Sequence, residues 1–133
     1  MADRLRFKEF ALERLPATRC KARVVLSMTD DDVWVGEAEG LATQAGELRT
    51  AADACVVALT KAIAGHATLE LLGVKSVRAF DNNVVIVSMA YTEDGNGQRL
   101  VGCFLADTDS ARGAALAVLN ATNRILGNRF FMR

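Results

Sequence analysis

The stretch that decides the fold is Asp3-Arg-Leu-Arg-Phe-Lys-Glu-Phe-Ala-Leu-Glu-Arg-Leu15, and it can be read in two ways. Leu5, Phe7, Phe10, Ala11, Leu12 and Leu15 include steps of three and four, which suit one face of a helix. Pro16 would end that helix, because proline cannot donate to the preceding turn and pushes its neighbour out of helical geometry. The alternation Leu5/Phe7 also suits the start of a strand. The helix is preferred, which makes residues 1–16 a helical extension to a core over residues 23–127.

Working outward, Arg23–Thr29 reads as a strand with Val24, Leu26 and Met28 on one face. Asp30-Asp31-Asp32 is a turn, and Val33–Gly40 is the antiparallel partner. Glu47–Ala64 is the clearest element. Leu48, Ala51, Ala52, Cys55, Val56, Leu59, Ala62 and Ile63 follow helical spacing, with Gly65 placed to cap the C-terminus. Leu69–Phe80 reads as a strand interrupted at Gly73, followed by the turn Asp81-Asn82-Asn83. Val84–Tyr91 is strongly β and apolar on both faces, which predicts a central strand covered on both sides. Glu93–Gly97 turns the chain into a last strand, Gln98–Ala106. Asp107-Thr108-Asp109-Ser110 offers several N-caps for a helix that runs to about Leu126. That helix carries two apolar stripes. One is Ala114, Ala115, Val118, Ala121 and Ile125; the other is Leu116, Leu119 and Leu126.

The expected order is therefore α-β-β-α-β-β-β-α. Short hairpins predict an antiparallel five-stranded sheet with its two main helices on one face, an α+β domain without internal repeat. A sheet with an uncovered apolar face tends to find a partner, so a homodimer is expected.

Composition narrows the function classes. Length fits one domain, and 51% hydrophobic residues suffice for a core. Formal net charge is zero. Residues 1–24 hold seven Lys/Arg against three acids, residues 110–133 hold four Arg and no acid, and the middle is acidic. A nucleic-acid partner is disfavoured, since binders usually carry a basic excess across the domain. Cys20, Cys55 and Cys103 are odd in number and widely spaced, which suits a reducing, cytoplasmic setting. No apolar run approaches the ~18–20 residues of a membrane span, and no secretory signal opens the chain.

No catalytic constellation emerges. His66 has no partner cluster for a metal, and Asp30-Asp31-Asp32 lacks the spacing and glycine of a calcium loop. The serines lack a nucleophile-elbow context, and Gly36-Glu-Ala-Glu-Gly40 is not a dinucleotide fingerprint. No cofactor is implied. Arg49 and Asp53, four apart, suit a helix pair. Asn120, Asn123 and Arg124 are unusual in an otherwise apolar helix. They would hydrogen-bond across an interface or to a ligand, or cap neighbouring backbone. Gly36, Gly40, Gly73 and Gly102 lie in or at the ends of strands, where glycine marks a bulge or a close approach, to a ligand or to a helix.

Leu100-Val-Gly-Cys-Phe-Leu-Ala-Asp-Thr-Asp-Ser110, with Ala114-Ala-Leu-Ala-Val-Leu-Asn-Ala-Thr-Asn-Arg124, resembles the end of the regulatory domain of 2-isopropylmalate synthase. There a Gly-bearing strand, an Asp-containing cap and a small-residue helix close in an Ala-Leu-Asn-Arg-like signature. Gly36 to Gly40 followed by Ala51–Leu59 is similar to that domain's Gly-rich strand end leading into a helix, although Leu41–Thr50 is longer here. The resemblance spans about residues 23–127. It implies a non-catalytic domain that dimerises and binds leucine at the subunit interface, with Gly36, Gly40, Ala51, Ala54 and Gly102 lining the ligand. It does not imply synthase activity. The expected order of elements also looks like that of roadblock/profilin-like scaffolds for small GTPases. It is related to that of double-stranded-RNA-binding modules too, but the last helix opens with Asp107 and Asp109 rather than lysines. The expected function is thus a regulatory domain binding an amino-acid-like ligand, with a protein scaffold or an RNA module as alternatives.

Overall fold

The computed structural model describes residues 5–29 and 31–126, except the side chains of Arg124 and Leu126. Asp30 of the acidic turn, Gly127 and residues 1–4 lie outside the described residues. Eight elements follow in order: β1 (Arg6–Leu15), β2 (Arg19–Ser27), β3 (Val33–Leu41), α1 (Gln44–Ile63), β4 (Thr68–Ala79), β5 (Asn82–Glu93), β6 (Asn96–Leu105) and α2 (Ser110–Leu126). They form two separate antiparallel sheets, β1-β2-β3 and β4-β5-β6.

This corrects the expected architecture. The segment expected to be a helix is β1, so the order is β-β-β-α-β-β-β-α and there is no single five-stranded sheet with both helices on one face. The cause is local. β1 pairs with β2 along its length, with a register shift between Phe7 and Glu9. A bulge inserts one residue into a strand. The step of three from Phe7 to Phe10 that imitates a helix is this bulge. With β1 in place, β4 has no need to join the first sheet. The order that likened the chain to roadblock or RNA-binding modules is accordingly not its own.

The two halves follow one plan, which corrects the expectation of no repeat. β4 bulges between Leu71 and Gly73, as β1 does between Phe7 and Glu9. The β1–β2 turn holds Ala17 and Thr18 at positive φ, and the β4–β5 turn holds Phe80 and Asp81 there. Gly36 pairs with Val24 beneath α1, and Gly102 pairs with Val87 beneath α2. A Cβ at Gly36 would overlap the Ala54 carbonyl oxygen and lie 2.5 Å from the Ala58 nitrogen. At Gly102 it would overlap the Ala117 carbonyl oxygen and lie 2.6 Å from the Ala121 Cβ. In both halves the helix backbone rests directly on a strand glycine.

The helices close the core between the sheets. α1 packs on β2 and β3, α2 packs on β5 and β6, and the helices pack on each other. Small side chains allow this approach. Ala51, Ala52, Ala54, Cys55, Ala58, Ala114, Ala115, Ala117 and Val118 are all fully buried. Burial pushes the Cys55 thiol far up, with a weaker opposing hydrogen bond to the Leu119 backbone. Each helix also braces the other half. Arg49 Nη2 donates to the Leu71 carbonyl at 3.1 Å, and the Arg112 guanidinium lies 5.3 Å from the Phe7 ring centre. Caps fit the termini. Thr43 accepts from the Gly46 N–H, Asp109 Oδ1 accepts from the Arg112 N–H at 3.0 Å, and Ala64 closes α1 in left-handed geometry just before Gly65.

The glycine contacts make a direct prediction. Gly36→Ala and Gly102→Ala should each cost roughly 1–3 kcal/mol through overpacking against backbone that cannot move aside. Gly97→Ala, whose nearest non-neighbour atom would be at 3.7 Å, should stay within ~0.5 kcal/mol. Urea denaturation of the three variants checks the ranking.

Candidate functional site

The outer faces of the two sheets are built from matching strands and differ in their middle rows, while the ends of β3 carry the exposed Val33 and Leu41 on the first face. On the first sheet, Arg23 stands between Ala11 and Glu37, and Lys21 between Glu13 and Glu39. Arg23 pairs with Glu9 at 3.2 Å and with Glu37 at 3.8 Å, and Lys21 reaches Glu37 at 3.6 Å. This is a face laced with ion pairs and at home in water. At the matching places of the second sheet stand Ile86 between Lys75 and Cys103, and Val84 between Val77 and Leu105. Val101 is 66% exposed and Leu105 54%, and Leu72, Ile86 and Cys103 are also exposed. Phe80, 96% exposed and at φ 54°, stands at the tip of the β4–β5 hairpin.

β5 explains why the sequence looked central. Val85, Val87, Met89 and Tyr91 point into the core, while Val84, Ile86, Ser88 and Ala90 form the other row. Covering on both sides was expected; within this chain only the inner row is buried. The sequence signal for the face is β6, where Arg99, Val101, Cys103 and Leu105 alternate with Leu100, Gly102 and Phe104. Glu70, Leu72, Arg99, Val101 and Leu105 were not singled out from the sequence.

The sequence-predicted ligand residues are divided between the two halves of the fold. Ala51 and Ala54 are fully buried on α1, and the close approach at Gly36 is to Ala54 and Ala58. Gly40 lies against Thr50, whose hydroxyl donates to the Gly46 carbonyl at 2.7 Å. Gly102 lies beneath α2, in the other half. Gly73 faces open space.

Asn120 is placed otherwise. It is exposed on α2, and its Nδ2 donates to the Cys103 carbonyl of edge strand β6 at 3.0 Å. Lys61 does the same for edge strand β3, donating to the Val35 carbonyl at 2.7 Å. Such contacts occupy edge carbonyls that would otherwise template another strand. Asn120 also lines an open groove of about 290 Å³ with Gln98, Arg99, Leu100, Val101, Ala121 and Ile125. Asn123 is half-buried on the same helix, and the Arg124 side chain lies outside the described residues.

Arg49 and Asp53 pair at 3.5 Å. Partial burial raises the Asp53 carboxyl above its usual range, and the Arg49 charge pulls it back. Among the described residues no cluster of three His, Cys, Asp or Glu could hold a metal ion, and no helix is long and apolar enough to cross a membrane. Compared with known proteins, the chain matches no family model, and no curated protein is significantly similar to it.

Two predictions follow from this geometry. Asn120→Ala should cost about 0.5–1.5 kcal/mol, the net value of one hydrogen bond, with faster amide exchange along β6. A raised carboxyl pKa means that the folded state holds its proton to higher pH than the unfolded state does, so this group weakens stability once both forms are ionised. Asp53→Asn should therefore leave the thermal midpoint at neutral pH no lower than that of the wild type, and the wild type should close any gap as pH falls into the carboxylate range.

Proposed function

We propose that the chain is a non-catalytic regulatory domain that acts as a cytoplasmic homodimer and binds a small, amino-acid-like metabolite. The observation that carries this reading is the contrast between the two outer faces. Where the first sheet has ion pairs, the second has Val84, Ile86, Val101 and Leu105. Burying one such side chain is worth ~1.5–3 kcal/mol, so a second surface that covers them gains more than solvent does.

The ligand half of the reading rests on the groove between β6 and α2. Gln98 and Asn120 supply amide groups there, and Leu100, Ala121 and Ile125 supply an apolar wall. About 290 Å³ accommodates a free amino acid. The groove borders the apolar face through Val101, so pairing and binding would influence each other. The resemblance of Leu100–Arg124 to the leucine-binding regulatory domain points the same way.

Sedimentation velocity at tens of micromolar should give twice the chain mass. In a thermal-shift panel of free amino acids, one compound at a hundredfold excess over its Kd should stabilise the fold by ~2.7 kcal/mol, several degrees in Tm. Asn120→Ala should abolish that shift. A monomer with no response overturns the proposal. A dimer with no response retains the pairing and replaces the metabolite with a protein partner.

A further inference from the structure

The outer face of β4-β5-β6 is arranged in rows across the three strands. From one end these are Glu70-Ala90-Arg99, Gly73-Ser88-Val101, Lys75-Ile86-Cys103 and Val77-Val84-Leu105. The first row has opposite charges on its two outer strands, both exposed. Among the described residues Glu70 has no ion pair, and Arg99 lies across the face with Nη1 3.5 Å from Ser88 Oγ. The second row has the most exposed strand valine on one side. On the other is a glycine at which an added Cβ would meet nothing within 4 Å.

We infer that this face pairs with the same face of a second copy, about a two-fold axis running along β5. The inference rests on the homodimer reading above and specifies its interface. Such an axis keeps each row at its own height and lays β4 of one copy over β6 of the other. Glu70 then faces Arg99 of the second copy, twice over, and Val101 faces the gap at Gly73. Packed sheets sit ~10 Å apart, a distance that extended Glu and Arg side chains span together. An in-plane axis perpendicular to the strands would set β4 over β4 and separate the two charges, so the self-complementary row selects the first axis. The area is also sufficient. Three strands ~4.8 Å apart and four rows ~6.8 Å apart give a face of roughly 15 by 25 Å. With side-chain relief this is of the order of 600 Å² per copy, at the lower bound of a stable pair. The first sheet differs in that the charges at its centre, Glu9, Lys21, Arg23 and Glu37, already pair with one another in place.

Charge exchange tests the inference. Glu70→Arg and Arg99→Glu each set like charges face to face at both symmetry-related contacts of that row, and each should raise the dimer dissociation constant at least tenfold. The double variant restores both contacts and should return it to within threefold of the wild type. Circular dichroism confirms that each variant is folded. A second readout needs no variant. Cys20 and Cys55 are buried, and Cys103 is the one exposed cysteine. Cys103 lies on this face, so its reaction with a thiol reagent should slow at least tenfold between dilute monomer and concentrated dimer. A double variant no tighter than the single ones, or equal Cys103 reactivity in both states, overturns this interface while leaving a dimer in place. A wild type that stays monomeric at every concentration overturns the homodimer reading itself.

Discussion

The closeness of helix to sheet at Gly36 and Gly102 is the constraint on which the rest of the molecule depends. At each point the helix backbone occupies the place of a side chain. That contact lets α1 and α2 sit low on their own sheets and still touch each other through alanines. Larger residues would lift the helices, open the space between the halves and draw Arg49 and Arg112 away from β4 and β1. Protein interiors pack with few voids, so a change of one methyl group at such a contact is felt across it.

Much of this plan was legible in the sequence, and what was not has a physical reason. Both helices, five of the six strands and the three hairpins that join those strands announced themselves by periodicity and turn residues. Glu47–Ala64 followed helical spacing because one stripe of α1 meets sheet and helix alike. β1 was lost because its bulge places Phe7 and Phe10 three apart, the step of a helix. Gly73 was easier, since a glycine beside the second bulge advertises the irregularity that Lys8 conceals in the first. Losing β1 hid the repeat as well. With a helix at the front, the halves do not match and a single sheet is the natural guess. The site was less legible. Strand glycines signal close approach without naming the approaching group, and at Gly36 and Gly102 it is a helix. The alternating pattern of β6 names the residues on its outer row but not what its neighbours present beside them.

The two halves share a frame and differ in what they show to water. A bulge, a positive-φ turn, a glycine beneath a helix and a cross-bracing arginine recur in each. The outer rows diverge. Arg23 and Glu37 on one sheet correspond to Ile86 and Cys103 on the other, and Lys8 at the first bulge corresponds to Leu72 at the second. A surface salt bridge contributes little to stability, so the ion pairs of the first sheet keep its outer face hydrated rather than hold the fold together. The second sheet instead leaves Ile86, Val101 and Leu105 exposed. One plan used twice thus gives two sheets of the same frame whose outer rows differ, ion-paired at Arg23 and Glu37 and apolar at Ile86 and Leu105.

The most direct measurement is an isotope-filtered nuclear Overhauser experiment on a dimer mixed from labelled and unlabelled chains, which detects contacts between copies alone. This account predicts cross-copy contacts between the Val101 methyl groups and the Gly73 α-protons, and none from the β1-β2-β3 face. Cross-copy contacts from Arg23 or Glu37, with none from Val101, would contradict it.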